Sequence, residues 1–228
     1  MSSQTYSRFY TRAVRLIVDL LLGVMVSTAA HAQPAALDAE LLAIQQSWAQ
    51  ANYQITDAEQ KKNAFEALSK RAAAFSKQYP DRAEPLVWEG IVLSTYAGAK
   101  GGLGALGLAK QARQKLEAAL KLNPNALEGS AYTSLGTLYH KVPGFPLGFG
   151  DDKKAREYLE HALQLNPTGI DPNYFYGEFL FDKGEYAQAA QHLQKALQAE
   201  PRTNRETADQ GRRKEVTALL VRVKEKMS

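Results

Sequence analysis

The sequence predicts an all-α fold: a solenoid of antiparallel helix pairs, about nine helices and no sheet. The first observation behind this is a helix ending that recurs three times. "ARQKLEAALKLNP" carries Ala112, Leu116, Ala119 and Pro124, and "AREYLEHALQLNP" carries Ala155, Leu159, Ala162 and Pro167. The third copy closes "FYGEFLFDKGEYAQAAQHLQKALQAEP" with Ala189, Leu193, Ala196 and Pro201. Apolar residues three and four apart share one helix face. The second observation is a small residue in the helix before each ending. Gly90, Gly136 and Gly177 each stand beside leucines, at Leu93, Leu135 and Leu180. A glycine there permits close approach of two helices.

The last copy is the undisturbed one. Ala189 follows Gly177 by 12 positions and faces it from the second helix. The interval is 19 from Gly136 to Ala155 and 22 from Gly90 to Ala112. These intervals predict insertions of 7 and 10 residues inside two repeats. The insertions are "HKVPGFPLGFGDD" and "AGAKGGLGALGLAK". Repeats then occupy 84–124, 129–167 and 170–201 within one helical-repeat domain over 33–228. An additional helix pair precedes them over 33–80, and a terminal helix over 204–228 follows. That last helix has an apolar stripe of Val216, Leu219, Leu220, Val223 and Met227 opposite a face rich in Arg and Lys. This suits a capping helix that solvates the end of a stack. Capping-box spacings at Thr56/Glu59, Asp81/Glu84 and Thr203/Glu206 predict helix starts, as does Asp171-Pro172.

Residues 1–32 read as an export signal. Arg8, Arg12 and Arg15 precede the apolar "LIVDLLLGVMVSTAA", and Ala30-His31-Ala32 fits small-x-small cleavage. The apolar stretch falls short of the ~20 residues that span a bilayer, and Asp19 interrupts it. The expected compartment is the periplasm. The chain of 228 residues has no cysteine, which excludes disulfides, thiolate metal sites and a lipoprotein anchor. The net charge is +4, part of it within the signal, so nothing favours nucleic acid.

Several motifs imitate chemistry. "GLGALG" (102–107) has the letters of a dinucleotide fingerprint but follows a helix rather than a strand. Asp151-Asp152 sits before "KKAREYLEHAL", where a carboxylate caps a helix start. His161 and His192 lack partners at ligand spacing, so neither a metal nor a cofactor is expected. No nucleophile–base set is apparent, and the chain reads as a non-enzyme.

The concave face of a helical solenoid is its usual binding surface. Helical spacing assigns Tyr174, Glu178 and Phe181 to it, then Thr133, Thr137 and His140, with Ile91 in the first repeat. Leu103, Leu106, Phe145, Leu147 and Phe149 of the insertions fall on one edge of the stack, where they either line a mouth or pack as a satellite cluster.

From Glu84 to Pro201 the repeats resemble the tetratricopeptide family. The export signal, the interrupted repeats and Pro143, Gly144, Pro146, Phe149, Gly150 and Asp151 are together similar to the periplasmic T component of TRAP transporters and its bacterial relatives. That resemblance implies a hydrophobic cavity and association with a solute-binding protein. Two functions therefore stand open: a scaffold for an envelope protein partner, or a carrier for a hydrophobic small molecule. Oligomeric state stays open as well.

Overall fold

Close approach at three glycines sets the geometry of the helix pairs. In the computed structural model, a Cβ built on Gly136 would lie 2.6 Å from Leu159 Cγ and 3.0 Å from the Ala155 carbonyl oxygen. On Gly90 it would lie 2.6 Å from Leu116 Cγ and 3.2 Å from the Ala112 oxygen. On Gly177 the distances are 2.9 Å to Leu193 Cγ and 3.4 Å to the Ala189 oxygen. One glycine, one alanine carbonyl and one leucine thus meet in the same way three times. Leu116, Leu159 and Leu193 are almost wholly buried.

The structure describes residues 35–228, and the predicted export signal over 1–32 lies outside the described residues. Two units divide at residue 40. In the first, residues 35–40 are helical. The second holds α1 (41–53), α2 (Ala58–Gln78), α3 (Ala83–Lys100), α4 (Gly102–Leu122), α5 (Ser130–Lys141), α6 (Asp152–Leu165), α7 (Ile170–Asp182), α8 (Tyr186–Gln198) and α9 (Glu206–Met227). A short 3-10 turn, Ala126–Gly129, joins α4 to α5. Among the described residues there is no strand, and no helix is long and apolar enough to cross a membrane. The molecule is an all-α helical-repeat solenoid, as predicted.

The two insertions have different structures. The second is a loop. The helices α5 and α6 match α7 and α8 in their extent around the repeat glycine, and the extra residues all fall between Val142 and Asp151. Backbone bonds cross this loop from Gly150 N to Pro143 O (2.9 Å) and from Asp151 N to Tyr139 O (2.9 Å). It contains a cis Phe145–Pro146 bond. The first insertion is not a loop, which corrects the expectation for Leu103 and Leu106. There α3 and α4 run on for 18 and 21 residues and meet at Gly101. Gly101 adopts φ +61°, a conformation costly for any residue with a Cβ. The glycines of "GLGALG" form the first turns of α4, so the pair is lengthened rather than opened.

Helix starts differ in detail from the capping pattern. Asp151 caps α6 as expected, accepting from Lys153 N (3.0 Å) and Lys154 N (3.1 Å). For α2 the cap is Asp57, which accepts from Gln60 N, one position beyond the expected Thr56. Arg82 and Arg205 occupy the cap positions of α3 and α9 with no side-chain cap bond. The expected cap Asp171 lies inside the first turn of α7.

The stripe of α9 is buried at Val216, Leu219, Leu220 and Val223, while Met227 is exposed. Its basic face does more than solvate the end of the stack. Arg213 donates to carbonyls at the end of α8, at Leu197 and at the capping residue Ala199. Arg212 is buried, and Arg222 lies 4.5 Å over the Phe181 ring. The helix therefore packs back along α7 and α8 rather than ending the stack in solvent.

Candidate functional site

Because α9 folds back, its inner face reaches α1. The Tyr53 hydroxyl donates to Glu215 Oε2 at 3.1 Å. A Cβ on Gly211 would fall 2.3 Å from Tyr53 Cγ, so the bare backbone of α9 is what admits the ring. Gln46 Nε2 meets the Asn204 carbonyl at 3.5 Å. The first and last helices of this unit are thus in contact, and the concave groove becomes a cavity of about 550 Å³.

One wall is aromatic. Trp48 from α1 meets Trp88 from α3 edge-on at 6.1 Å and Tyr53 at 5.8 Å. The Trp48 Nε1 donates to Thr95 Oγ1 (2.9 Å), which donates in turn to the Ile91 carbonyl (3.0 Å). The floor comes from the first helices of the three repeats: Ile91 and Ser94, then Thr133, Ser134 and Thr137, then Phe175. The Thr137 hydroxyl donates to the Thr133 carbonyl (2.9 Å), a bond within its own helix.

The opposite wall is ionic. Asp171 of α7 accepts from Arg202 Nη1 (2.6 Å) and Arg212 Nε (2.8 Å). Arg202 also donates to Asp209 (2.7 Å), and Arg212 to Glu215 (2.6 Å). Burial alone would raise the Asp171 pKa, but Arg212 and Arg202 outweigh it and hold the carboxyl well below its usual range. Burial likewise keeps the Tyr53 phenol protonated beyond its ordinary range.

The residues singled out from sequence divide into three groups. Ile91, Thr133 and Thr137 line the cavity as expected. Tyr174 and Phe181 do not, because α9 covers them. Each is 9% exposed, and Arg212 lies 4.5 Å over the Tyr174 ring. His140 and Glu178 also lie elsewhere. They belong to an ion cluster between adjacent repeats, where His140 Nε2 meets Asp182 (2.8 Å) and Lys141 meets Glu178 (3.2 Å) and Asp182 (3.0 Å). Lys183 pairs with Asp152 there, and with burial opposing it that bond keeps the Asp152 carboxyl below its usual pKa. The clasp ties the end of α5 and the start of α6 to the end of α7. Among the described residues, no group of His, Asp and Glu could hold a metal ion.

Of the insertion residues, none whose side chain is described lines the cavity. Phe145 and Leu147 point to solvent, 94% and 74% exposed, while Leu106 is half-buried. Phe149 turns inward, edge-on to Tyr139 at 5.5 Å and under the Arg113 guanidinium at 4.4 Å. Phe149 therefore belongs to the core, and Phe145 does not. Phe149→Ala should cost about 1–2 kcal/mol of unfolding free energy, below the cost for a fully buried Phe because this one is half-buried. Phe145→Ala should fall within about 0.5 kcal/mol of wild type. Urea unfolding of the two variants measures both, and equal losses would contradict this assignment.

Sequence comparison agrees with the repeat geometry where it reaches. Residues 147–206 match the tetratricopeptide repeat family. Repeats of this family stack helix pairs into superhelices with a concave binding surface and serve as interaction and scaffold modules. Among solved structures the chain is similar to MamA, at 21% identity over 76% of this chain and 94% of that one, with a TM-score of 0.42. It is also similar to pilF of Pseudomonas aeruginosa, at 17% identity over 81% and 90% of the two chains, with a TM-score of 0.35. No curated protein matches the chain.

The cavity residues missed from sequence are Trp48, Trp88, Phe175, Asp171, Arg202, Arg205 and Arg212. A signal for two of them was present. Trp88 and Phe175 stand two positions before Gly90 and Gly177, and Ser134 holds the same place before Gly136. Alignment on the repeat glycine puts all three in one register, and that register faces the cavity.

Proposed function

We propose that this protein is an exported, non-enzymatic interaction module that holds a segment of an envelope protein partner in its concave cavity. The observation that carries this reading is the cavity itself. Helices from every repeat build it, and it combines aromatic surface, hydroxyls and fixed charges. A volume of about 550 Å³ suits a short chain segment or a small ligand rather than a folded surface. Residues 1–32 supply the expectation of export to the periplasm, with a mature chain beginning at Gln33.

A photoreactive amino acid at Thr137, inside the cavity, tests the reading in living cells. The expected result is a cross-linked protein adduct in the periplasmic fraction that starts at Gln33. The same probe at exposed Lys226, near the far end of α9, should give none. Adducts equal at both positions, or none at either, would overturn the segment-binding reading. An adduct retained in the cytoplasm would overturn export.

The alternative follows the resemblance to the T component: a carrier for a hydrophobic small molecule, working beside a solute-binding protein. Exposed Phe145 and Leu147 favour an apolar encounter at the insertion edge. Trp48, Trp88, Ile91 and Phe175 give the cavity apolar surface of its own. Lipid co-purifying in the same cross-linking preparation, with no protein adduct, would favour this alternative.

A further inference from the structure

Three arginines line the ionic wall, and two of them are held by carboxylates. Arg202 is bonded to Asp171 and Asp209, and Arg212 to Asp171 and Glu215. Arg205 is different. Its Nε is buried without a hydrogen-bond partner, and among the described residues no acid pairs with it. Its guanidinium lies 5.2 Å over the Trp88 ring. Burial and the neighbouring Arg202 both weaken its hold on the proton, while Asp171 and Asp209 act the other way. A guanidinium carries five donors, and leaving even the buried Nε donor unmet is costly.

We infer that Arg205 receives a carboxylate of the bound ligand, and that Trp48, Trp88 and Phe175 take an apolar side chain beside it. The planar fork of arginine matches the two oxygens of a carboxylate. Charge balance favours one carboxylate over a phosphate. Arg202, Arg205 and Arg212 stand against Asp171, Asp209 and Glu215, and Glu128 and Glu200 of the lining add negative charge, so no positive surplus remains. A dianion needs a surplus of positive charge, whereas a monoanion needs only directed donors, and Arg205 has them. The recognised element is an acidic group next to an aromatic or aliphatic one. It is carried either by a protein segment or by a free organic acid. This inference rests on the reading of the cavity as the binding site, but does not require the ligand to be a protein.

Both tryptophans of the chain, Trp48 and Trp88, line the cavity, so intrinsic fluorescence reports occupancy directly. The protein as the cell produces it is equilibrated with a randomised pool of N-acetylated, C-amidated hexapeptides. Retained peptides are then sequenced by mass spectrometry. Those retained by wild type should be enriched in Asp or Glu next to Trp, Phe or Leu. In Arg205→Gln the acidic enrichment should vanish. The best acidic peptide should bind it about tenfold or more weakly, as expected when a charged hydrogen bond is lost. Arg205→Lys should bind with intermediate strength. In a second arm, N-acetyl-leucinate replaces the peptides. Arg205-dependent quenching by this small acid without peptide retention would keep the inference and reject the protein-segment reading. Peptide retention without acidic enrichment, or acidic peptides held equally by Arg205→Gln, would overturn the inference and leave the segment reading standing. No binding in either arm would overturn both. Arg205→Gln loses the contact with Trp88 but breaks no ion pair, so it should lower the melting temperature only slightly and keep the fold. If it fails to fold, Arg205→Lys decides alone: unchanged affinity and unchanged acidic enrichment would count against the inference.

Discussion

Asp171→Ala should be among the most damaging single changes in the protein, costing about 2–4 kcal/mol of unfolding free energy at pH 7. The carboxylate joins the start of α7 to Arg202 in the α8–α9 connection and to Arg212 on α9. Its removal leaves Arg212, which is only 8% exposed, with Glu215 as its one carboxylate. The carboxylate itself is 29% exposed toward the cavity, which moderates the cost relative to a fully enclosed ion pair. The sign of the pH dependence follows from the direction of its pKa. The folded value lies below the unfolded one, so this contribution is complete above about pH 4. It declines as the pH falls below that point toward the folded pKa. Asp171→Asn keeps the shape and removes the titration. The stability gap between wild type and Asp171→Asn should therefore be widest at neutral pH and should narrow at pH 3, as read by urea midpoints at pH 7, 5 and 3. A gap that stayed constant would show that the charge is not what matters.

The repeat architecture was legible in the sequence because it is local. Gly136, Ala155 and Leu159 act within one helix pair, and helical periodicity puts them on facing surfaces without knowledge of the rest of the chain. The same holds for the Asp151 cap, which acts within one turn. The insertion before Ala112 departs from the expected loop for a physical reason. "GGLGALG" is poor helix by propensity, yet it forms the start of α4 because α3 offers a long partner surface, and tertiary packing outweighs propensity.

The site was only half legible, and the cause is the return of α9 across α7 to α1. Ile91, Thr133 and Thr137 line the cavity because any superhelix turns that register inward. Tyr174 and Phe181 share the register but lie beneath α9. Nothing local to α7 reveals that a helix begun at Glu206 returns across it. The amphipathic stripe of α9 shows that the helix packs, but not which surface it packs on. The aromatic and ionic walls unite residues as far apart as Tyr53 and Glu215, and only the α1–α9 contact makes them neighbours. Gly211 was the one available sequence clue to this contact. A glycine inside an otherwise strong helix costs about 1 kcal/mol and calls for a packing reason, here the Tyr53 ring.

The packing rule of the repeats makes a sharper prediction, because two substitutions should change sign in each other's presence. Leu159→Ala removes an almost wholly buried side chain and should cost about 3–4 kcal/mol, lost transfer free energy plus a cavity. Gly136→Ala alone should be destabilising by about 1 kcal/mol. A Cβ placed 2.6 Å from Leu159 Cγ forces overpacking that outweighs the roughly 1 kcal/mol gained in helix propensity. In the Leu159→Ala background that clash is gone. The added methyl then enters vacated space, and Gly136→Ala should become neutral or stabilising by about 1 kcal/mol. The double variant stays below wild type, because the Ala155 carbonyl is still 3.0 Å from the new Cβ and one methyl cannot refill the space of a leucine side chain. Chemical unfolding of the four proteins gives the coupling energy directly. The matching cycle at Gly177 and Leu193 should couple more weakly, since the Cβ there would meet Leu193 at 2.9 Å and the Ala189 carbonyl at 3.4 Å. Additive costs in both cycles would mean that the glycines are tolerated for backbone reasons, and that the leucine beneath each one does not set how closely its two helices pack.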